Sequence, residues 1–229
     1  MAIVEFCGFP GSGKSTVGRL LIDRLRSCGG SVIDRPVADE SLHARYVGST
    51  PVGTVAEALK YGIERPSWAR PLWAIVRRSR SRRTVRSMIR IQNQLRTALA
   101  LGGSNQLVLD EWFVHEAWLA TIDSQRVTPQ QVQEVLRAVS VGLSRIPRLL
   151  VRLDAPPSIA AARVLSREQI TSFDRFSQDE LEGILGDAYR SLDVLCRTAA
   201  ENAPLLTFDT SVLTPCEVVE QLVPHVRAL

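Results

Sequence analysis

The sequence predicts an α/β fold of three layers (α/β/α), in which a parallel sheet of about five strands lies between helices. Short apolar runs, which indicate buried strands, alternate along the chain with longer segments whose apolar residues recur at helical spacing. Strands and helices that alternate in this way form parallel sheets with right-handed crossovers. The 229 residues are enough for a real core, and we find no internal repeat or linker, so a single domain over residues 1–229 is expected.

The first half of the chain begins with a strand at residues 2–7, AIVEFC, and a helix over 14–28 that ends at Gly29-Gly30. A second strand at 31–36, SVIDRP, ends at a proline, which cannot donate a ladder hydrogen bond. The pattern then predicts a helix near 54–62, two basic helices between 66 and 102 with a break near 78–84, and an apolar strand over 105–112.

The second half continues the alternation of helices and strands. Thr128-Pro129 is a typical helix start, because the hydroxyl caps the first turn and proline is tolerated there. The predicted elements are helices over 112–122 and 129–144, a strand over 148–156, a helix over 157–168, a polar loop at 169–177, a helix over 178–202, a strand over 204–211 and a helix over 214–228.

The loop after the first strand fits the octet G-x-x-x-x-G-K-[ST] of a phosphate-binding loop. Its glycines let backbone N–H groups turn toward phosphate oxygens at the start of the following helix. Lysine stands in this loop although 26 of the 28 basic residues are arginine, and its compact ammonium fits between phosphate oxygens. The predicted nucleotide-binding residues are Gly8, Gly11, Ser12, Gly13, Lys14, Ser15 and Thr16.

Two carboxylates, Asp110 and Glu111, end the strand that we expect beside the loop strand. A phosphoryl-transfer site needs one acid to order Mg²⁺ and one to accept the proton of an acceptor hydroxyl. We therefore predict a metal site at Ser15 and Asp110 and a catalytic role for both acids, and which acid is the base stays open.

Four segments resemble the thymidylate kinase and deoxynucleoside kinase group of P-loop kinases: GFPGSGKST, LDEW, ARVLSREQITSFDRF and LGDAYRSL. The resemblance covers most of the chain in element order and implies a P-loop NTPase fold, with ATP and Mg²⁺ as cofactors. It also implies a helical lid at residues 163–178, whose arginines neutralise the transferring phosphoryl group. The arginines at the matching positions are Arg163, Arg167 and Arg175, and the spacing of the first two would place them on one helix face. The loop residues Phe9, Pro10 and Ser12 are neutral, so the lid would supply this charge.

The chain departs from the group at the second motif. Thymidylate kinases usually show Asp-Arg-aromatic and deoxynucleoside kinases Glu-Arg-Ser, whereas this chain has Asp110-Glu111-Trp112. An acid replaces the arginine that contacts the substrate, which weakens dTMP as the acceptor. Asp34 and Arg35 follow the second strand, where the group often places acceptor contacts, and we predict them as substrate-binding residues.

Residues 64–104 form an arginine-rich helical segment, which we place on the acceptor side. Residues 65–109 contain ten arginines and no acid. The segment is a solvated helical face, an acceptor site with Arg86 and Arg90 in the cleft, or a nucleic-acid surface flanked by Trp68 and Trp73. Because arginine is the default cation throughout this chain, nucleic acid is the least favoured partner.

Other features of the sequence indicate where in the cell the protein is expected. The N-terminal sequence lacks a basic stretch typical of a signal peptide, and no apolar run reaches the ~20 residues that span a bilayer. Four scattered cysteines without a C-x-x-C pair indicate reduced thiols of a cytoplasmic protein and no zinc site. No membrane partner is expected, and a homodimer is compatible with the sequence.

We therefore expect a kinase that transfers the γ-phosphoryl group of ATP to a nucleoside- or nucleotide-like small molecule. Two alternatives stay open: a P-loop kinase for a sugar or other metabolite, and a nucleotide-dependent regulatory ATPase that binds nucleic acid through the arginine-rich segment. The last of these predicts steeply salt-dependent binding to DNA or RNA.

Overall fold

The computed structural model describes residues 1–34, 66–79, 81–100, 106–110, 112–123, 127–167, 173 and 175–229. Five parallel strands form one sheet in the order β2-β3-β1-β4-β5. The strands are β1 (Ala2–Cys7), β2 (Val32–Asp34), β3 (Gln106–Leu109), β4 (Arg148–Asp154) and β5 (Leu205–Asp209). The predicted parallel sheet of about five strands is confirmed, and so is the predicted pairing of the loop strand with the strand that ends at Asp110.

Eight α-helices lie within the described part of the chain, and a short 3-10 turn at Ala200–Asn202 follows the seventh. The predicted break between the two basic helices is confirmed, because the first ends at Arg78 and the second begins at Arg82. The predicted helix near 54–62 lies outside the described residues, as does most of the loop at 169–177. The helices are α1 (Lys14–Ser27), α2 (Pro66–Arg78), α3 (Arg82–Ala100), α4 (Phe113–Asp123), α5 (Pro129–Gly142), α6 (Pro157–Leu165), α7 (Gln178–Ala199) and α8 (Pro215–Arg227).

The helices cover both faces of the sheet, which gives the three layers that the sequence predicts. Alternate residues of each strand point to opposite faces. One face packs against α1 and α8 through residues such as Val4, Phe6 and Val151. The other face packs against the helices of the second layer through Ile3, Leu109, Leu150 and their neighbours. Among the described helices, none is both long and apolar enough to span a bilayer.

Three helices begin at reciprocal caps that the sequence encodes locally. At the start of α8, the backbone N–H of Glu217 donates to the Thr214 hydroxyl, and the Glu217 carboxylate accepts from the Thr214 backbone N–H. The Thr214 donors lower the pKa of Glu217 because they stabilise its charged form. Equivalent caps start α5 at Thr128 and α7 at Ser177. Each cap contributes about 0.5–2 kcal/mol and fixes where its helix starts.

The sheet order brings the polar chain segments together at one edge. Because all strands are parallel, their carboxyl ends share this edge, and ligands of such sheets bind there. The loop after β1 lies between the chain that leaves β3 at Asp110 and the chain that leaves β4 at Asp154. Because β1 is the central strand, the loop that follows it lies between the segments that follow β3 and β4.

Candidate functional site

The P-loop (Gly8–Ser15) turns sharply between β1 and α1, and two of its glycines are required by geometry. Gly11 has φ 86°, and a Cβ at this position would lie 2.4 Å from the carbonyl oxygen of Ala160. Gly13 is the N-cap of α1 in the left-handed conformation, with φ 93° and ψ 7°. Both conformations are strained for other residue types, so the loop depends on glycine to bring its backbone close to a ligand.

Lys14 is the first residue of α1, and only 7% of it is exposed. Its Nζ donates a hydrogen bond to the carbonyl oxygen of Phe9 at 3.2 Å, so the ammonium lies across the P-loop. The N–H groups of the first helical turn carry a partial positive charge beside it. Thr16 is exposed on the same turn. This combination of a cation and helix amides suits a phosphate group.

Ser15 and Asp110 meet at the mouth of the P-loop. The Ser15 hydroxyl donates to Oδ2 of Asp110 at 3.0 Å, and the two residues come from α1 and from the end of β3. Paired hydroxyl and carboxylate oxygens suit Mg²⁺, which takes few protein ligands and completes its shell with phosphates and water. Within the described residues no group of three or more His, Cys, Asp or Glu could hold a metal. Glu111 lies outside the described residues.

A large cleft of about 830 Å³ opens beside the P-loop. We name it the main cleft; its other walls come from α3, α4, the start of α7 and residues 167, 173, 175 and 176. The predicted acceptor residues Arg86 and Arg90 line this cleft, and so do Arg167 and Arg175 of the predicted lid. With Lys14 and Arg83 they make the described lining strongly cationic, and such a lining attracts anionic ligands.

Arg90 is held in the wall of the main cleft by a buried acid. Its guanidinium donates to Oε1 of Glu116 at 3.1 Å; the Arg90 side chain is half-exposed, whereas that of Glu116 is 1% exposed. Glu116 belongs to α4, so the ion pair ties α3 to α4 across the cleft wall. One side of the Arg90 guanidinium thus has a fixed partner while the residue lines the cavity.

A second cavity of about 500 Å³ lies on the other side of the P-loop. We name it the side cavity; it is lined by the end of α6 and by residues 210–215, which connect β5 to α8. The two cavities share Gly11, Gly13, Thr16 and Arg167. The two cavities therefore adjoin each other at the P-loop.

Arg163 lies in the side cavity and not in the main cleft. Its guanidinium donates to the carbonyl oxygen and hydroxyl of Thr210 at 2.7 and 3.1 Å and to the carbonyl oxygen of Gly11 at 3.4 Å. The predicted common helix face of Arg163 and Arg167 is wrong, because α6 ends at Leu165 and Arg167 follows it. Arg163 thus ties the P-loop to the chain after β5, whereas Arg167 is exposed between the two cavities.

Thr210 is a site residue that the sequence analysis missed. Its hydroxyl is a hydrogen-bond donor 3.1 Å from the carbonyl oxygen of Ser12 and 3.0 Å from that of Asp154. Its backbone N–H donates to the same Asp154 oxygen at 2.8 Å. Thr210 therefore joins the P-loop to the ends of β4 and β5. The only signal in the sequence is a small polar residue directly after a strand, which is common in loops.

A polar cluster behind the P-loop supports Phe9. The ring of Phe9 packs edge-on against Tyr189 of α7, with centroids 5.9 Å apart, and the Arg152 guanidinium lies 4.9 Å from the Tyr189 centroid. Arg152 is buried and pairs with Asp154 at 2.8 Å and with Asp193. Burial raises the pKa of Tyr189, and the carboxylate of Asp154 raises it further. The cluster therefore holds Phe9, one of the neutral residues of the P-loop, in place.

Glu5 is a second residue whose role the sequence analysis missed. It is fully buried in β1, and its Oε1 accepts the backbone N–H of Val114 at 2.8 Å. Val114 lies in the first turn of α4, so the Glu5 carboxylate of β1 acts as a cap for this helix. Burial raises the pKa of Glu5, while Arg148 and the backbone donors of α4 partly oppose this. Glu5 thereby anchors the helix that follows Asp110 and forms one wall of the main cleft.

The structure describes the remaining predicted residues only in part. Asp34 ends β2, and its side chain and all of Arg35 lie outside the described structure. Trp68 lies in α2 with its side chain outside the description, whereas Trp73 packs partly buried against the core. The described residues thus give Trp73 a packing role, and its ring does not form an open stacking surface.

Comparisons with known proteins establish the fold. No protein-family model matches the sequence, and no curated protein is significantly similar to it. The structure is similar to that of the YorR protein from Bacillus subtilis in complex with phosphorylated GDP, with 14% identity, a TM-score of 0.50 and coverage of 99% of this chain and 96% of that one. It is also similar to the deoxyadenosine kinase from M. mycoides with dCMP and dCDP bound, with 11% identity, a TM-score of 0.50 and coverage of 99% and 100%. The chain therefore has the fold of a P-loop kinase.

Proposed function

We propose that this chain, which has the fold of a P-loop kinase, transfers the γ-phosphoryl group of ATP to a small-molecule acceptor. One observation carries the proposal: two cavities of about 500 and 830 Å³ meet over a P-loop whose Ser15 contacts Asp110 at 3.0 Å. A protein that only hydrolyses a nucleotide needs one organic-sized cavity beside its P-loop. A phosphotransferase needs one for the donor and one for the acceptor, with the phosphates between them.

The donor nucleotide occupies the side cavity and the P-loop. Lys14 and the first amides of α1 bind the β- and γ-phosphates, and the base and ribose lie between α6 and residues 210–215. In this arrangement Arg163 is a positioning residue, because its donors are already directed to backbone oxygens of Gly11 and Thr210. It holds the P-loop against the wall of the base site.

Ser15 and Asp110 would hold Mg²⁺ through their adjacent oxygens. When bound there with the nucleotide, the ion neutralises charge on the phosphate oxygens and orients them. Asp110 also fixes the position of the Ser15 side chain, because the Ser15 hydroxyl donates a hydrogen bond to its carboxylate. The hydrogen bond between Ser15 and Asp110 ties the end of β3 to the start of α1.

The acceptor occupies the main cleft with its nucleophilic oxygen toward the P-loop. That oxygen forms a bond to the γ-phosphorus as the bond to the bridging oxygen of the ADP leaving group breaks. Lys14, Arg167 and Arg175 line the cleft where negative charge spreads over the transferring group. Asp110 or Glu111 accepts the proton when the acceptor is a hydroxyl.

Two acceptor classes are consistent with this site. A nucleoside- or nucleotide-like acceptor is supported by the fold shared with a deoxyadenosine kinase. A non-nucleoside acceptor is supported by the apolar side chains of Leu119, Ile122 and Ile184 in the main cleft, which offer a ligand no hydrogen bonds.

An ADP-release screen over nucleosides, nucleoside monophosphates, sugars and organic phosphates tests the proposal. We expect release that depends on one acceptor class and that is lost in Lys14→Ala. Unchanged turnover in Lys14→Ala with the best acceptor would show that the mechanism is wrong. ATP hydrolysis stimulated by DNA or RNA, with no response to small molecules, would favour the regulatory alternative.

A further inference from the structure

Residues 210–215 form one wall of the side cavity, and we name them the loop wall. Every backbone N–H group in the loop wall already has a partner inside the chain, at 2.8–3.4 Å. The carbonyl oxygen of Asp154 accepts from Thr210, the carbonyl oxygen of Asp209 accepts from Val212 and Leu213, and the carboxylates of Asp209 and Glu217 accept from Ser211 and Thr214. The sixth residue, Pro215, has no N–H. The backbone of the loop wall therefore has no donor left for a ligand.

The three hydroxyl groups of the loop wall also have acceptors inside the chain. These acceptors are the carboxylate of Asp209 for Ser211, the carboxylate of Glu217 for Thr214, and the carbonyl oxygens of Ser12 and Asp154 for Thr210. None of the hydrogen bonds in the described part of the chain ends at the carbonyl oxygens of residues 211–213. The loop wall therefore offers a ligand hydrogen-bond acceptors, together with the apolar side chains of Val212 and Leu213.

The carboxylate of Asp209 holds two of these donors. Asp209 ends β5, and its Oδ1 accepts both the hydroxyl and the N–H of Ser211, the latter at 2.8 Å. The two donors lower the pKa of Asp209, so the carboxyl group is charged at neutral pH. The turn keeps two backbone hydrogen bonds without this side chain, because Val212 and Leu213 donate to the Asp209 carbonyl oxygen. Loss of the carboxylate would thus free two donors of Ser211 in the loop wall.

We propose that Asp209 determines which nucleotide base the side cavity selects. Its carboxylate leaves the loop wall with hydrogen-bond acceptors only, so the cavity selects a base that carries an exocyclic amino group. An amino group donates to the acceptors of the loop wall, whereas a base carbonyl at the same position meets another acceptor and loses its hydrogen bond to water. The inference rests on the proposed function in one respect, namely that the side cavity holds the base of the donor. It deepens that function by giving the chemistry by which the donor is chosen.

Titration calorimetry with three triphosphates tests the selection of the base. ATP has an amino group at position 6 of its purine, purine riboside 5′-triphosphate has hydrogen there, and inosine triphosphate has a carbonyl oxygen. The ribose and the triphosphate are the same in all three. With Mg²⁺ present and no acceptor, we expect ATP to bind about fivefold or more tightly than either analogue, because only ATP gains the hydrogen bond. Equal affinity for ATP and either analogue would overturn the inference.

Variants of Asp209 assign the selection to this side chain. Asp209→Ala frees the two donors of Ser211, so the preference for ATP should fall below about twofold, chiefly through tighter binding of inosine triphosphate. Asp209→Asn keeps an oxygen that accepts from Ser211 and should retain the preference. The control is Asp187→Ala, at an exposed carboxylate of α7 outside the lining of both cavities, which should change nothing. A full preference in Asp209→Ala, or an equal loss in Asp209→Asn, would contradict the role of Asp209.

The ratio of affinities separates this inference from the proposed function. Removal of the Asp209 charge acts equally on the three triphosphates, so its effect cancels in the ratio. The comparison in the unchanged protein stands even where a variant does not fold. Tight ATP binding without a preference would contradict the base selection alone, whereas no binding of any triphosphate would contradict the donor site and this inference together. The predicted preference without ADP release for any acceptor would support the base selection and contradict the kinase.

Discussion

Arg163 is either a lid arginine, which acts on the transferring phosphoryl group, or a positioning arginine, which holds the P-loop. The substitution Arg163→Ala distinguishes the two roles. In the structure its guanidinium donates at 2.7 and 3.1 Å to Thr210 and at 3.4 Å to Gly11. A hydrogen bond from a charged donor contributes about 1.5–3 kcal/mol when buried. Because Arg163 is half-buried, we discount its combined contribution to about 1–2 kcal/mol of unfolding free energy. Arg163→Ala should lower the stability by this amount.

The same substitution should weaken ATP binding about tenfold to a hundredfold, because it releases one wall of the side cavity. The maximal rate with saturating ATP should fall much less. Calorimetric titration with a non-hydrolysable ATP analogue, together with urea unfolding, measures both effects. Arg175→Ala, in the main cleft, should show the opposite division: a large loss of maximal rate with nearly unchanged ATP affinity.

A matched control for Arg163 lies outside the lining of both cavities. Arg137 also donates three hydrogen bonds, all to Glu201, but this ion pair is exposed and remote from both cavities. Arg137→Ala should change neither ATP affinity nor turnover. A hundredfold loss of maximal rate in Arg163→Ala, with ATP affinity and stability unchanged, would refute the reasoning and restore the lid role.

Two further predictions concern the backbone and the buried acid. Gly11→Ala should abolish nucleotide binding and destabilise the protein in thermal melts, because the new Cβ would lie 2.4 Å from the Ala160 oxygen and the backbone has φ 86°. The control is Gly186→Ala, where a Cβ would meet open space in α7. This change should stabilise the protein by about 0.5–1 kcal/mol in the same melts. For Glu5, the pKa is raised above 4.5 in the folded state, so its contribution to stability is present below pH 4.5 and is lost as pH rises through the folded pKa. Glu5→Gln should therefore raise the unfolding free energy relative to the wild type, by an amount that grows between pH 4.5 and 7.5. A difference between the two proteins that shrinks over this range would contradict the raised pKa of Glu5.

The parts of the fold that sequence predicted well depend on local patterns. The P-loop needs glycines, a lysine and a serine at fixed positions within eight residues, and its context of strand and helix is adjacent in the chain. Helix starts at Thr128, Ser177 and Thr214 are encoded within four residues by their caps. Such features need no knowledge of distant partners.

The parts that sequence missed depend on contacts between distant residues. Glu5 stands in an apolar strand, and its partner, the backbone N–H of Val114, follows 109 positions later. Arg163 contacts Thr210, 47 positions away, through a carbonyl oxygen that no sequence pattern marks. Backbone partners of this kind carry no residue signature, so only the folded structure identifies them.

The wrong prediction for Arg163 and Arg167 has a simple physical reason. A spacing of four residues puts two side chains on one face only while the helix continues. Here α6 ends at Leu165, after nine residues, and the chain leaves the helix before Arg167. Both arginines line the side cavity, but only Arg167 also lines the main cleft, and the spacing alone could not show this difference.

The central claim is that the γ-phosphoryl group moves to a molecule in the main cleft and not to water. The direct measurement is transfer of label from γ-labelled ATP to the acceptor selected by the screen, compared with total ADP formed. We predict label in the acceptor in a ratio near one to ADP. We also predict loss of both products in Ser15→Ala, which removes the hydroxyl that contacts Asp110. Label recovered only as inorganic phosphate, whatever acceptor is present, would contradict the account.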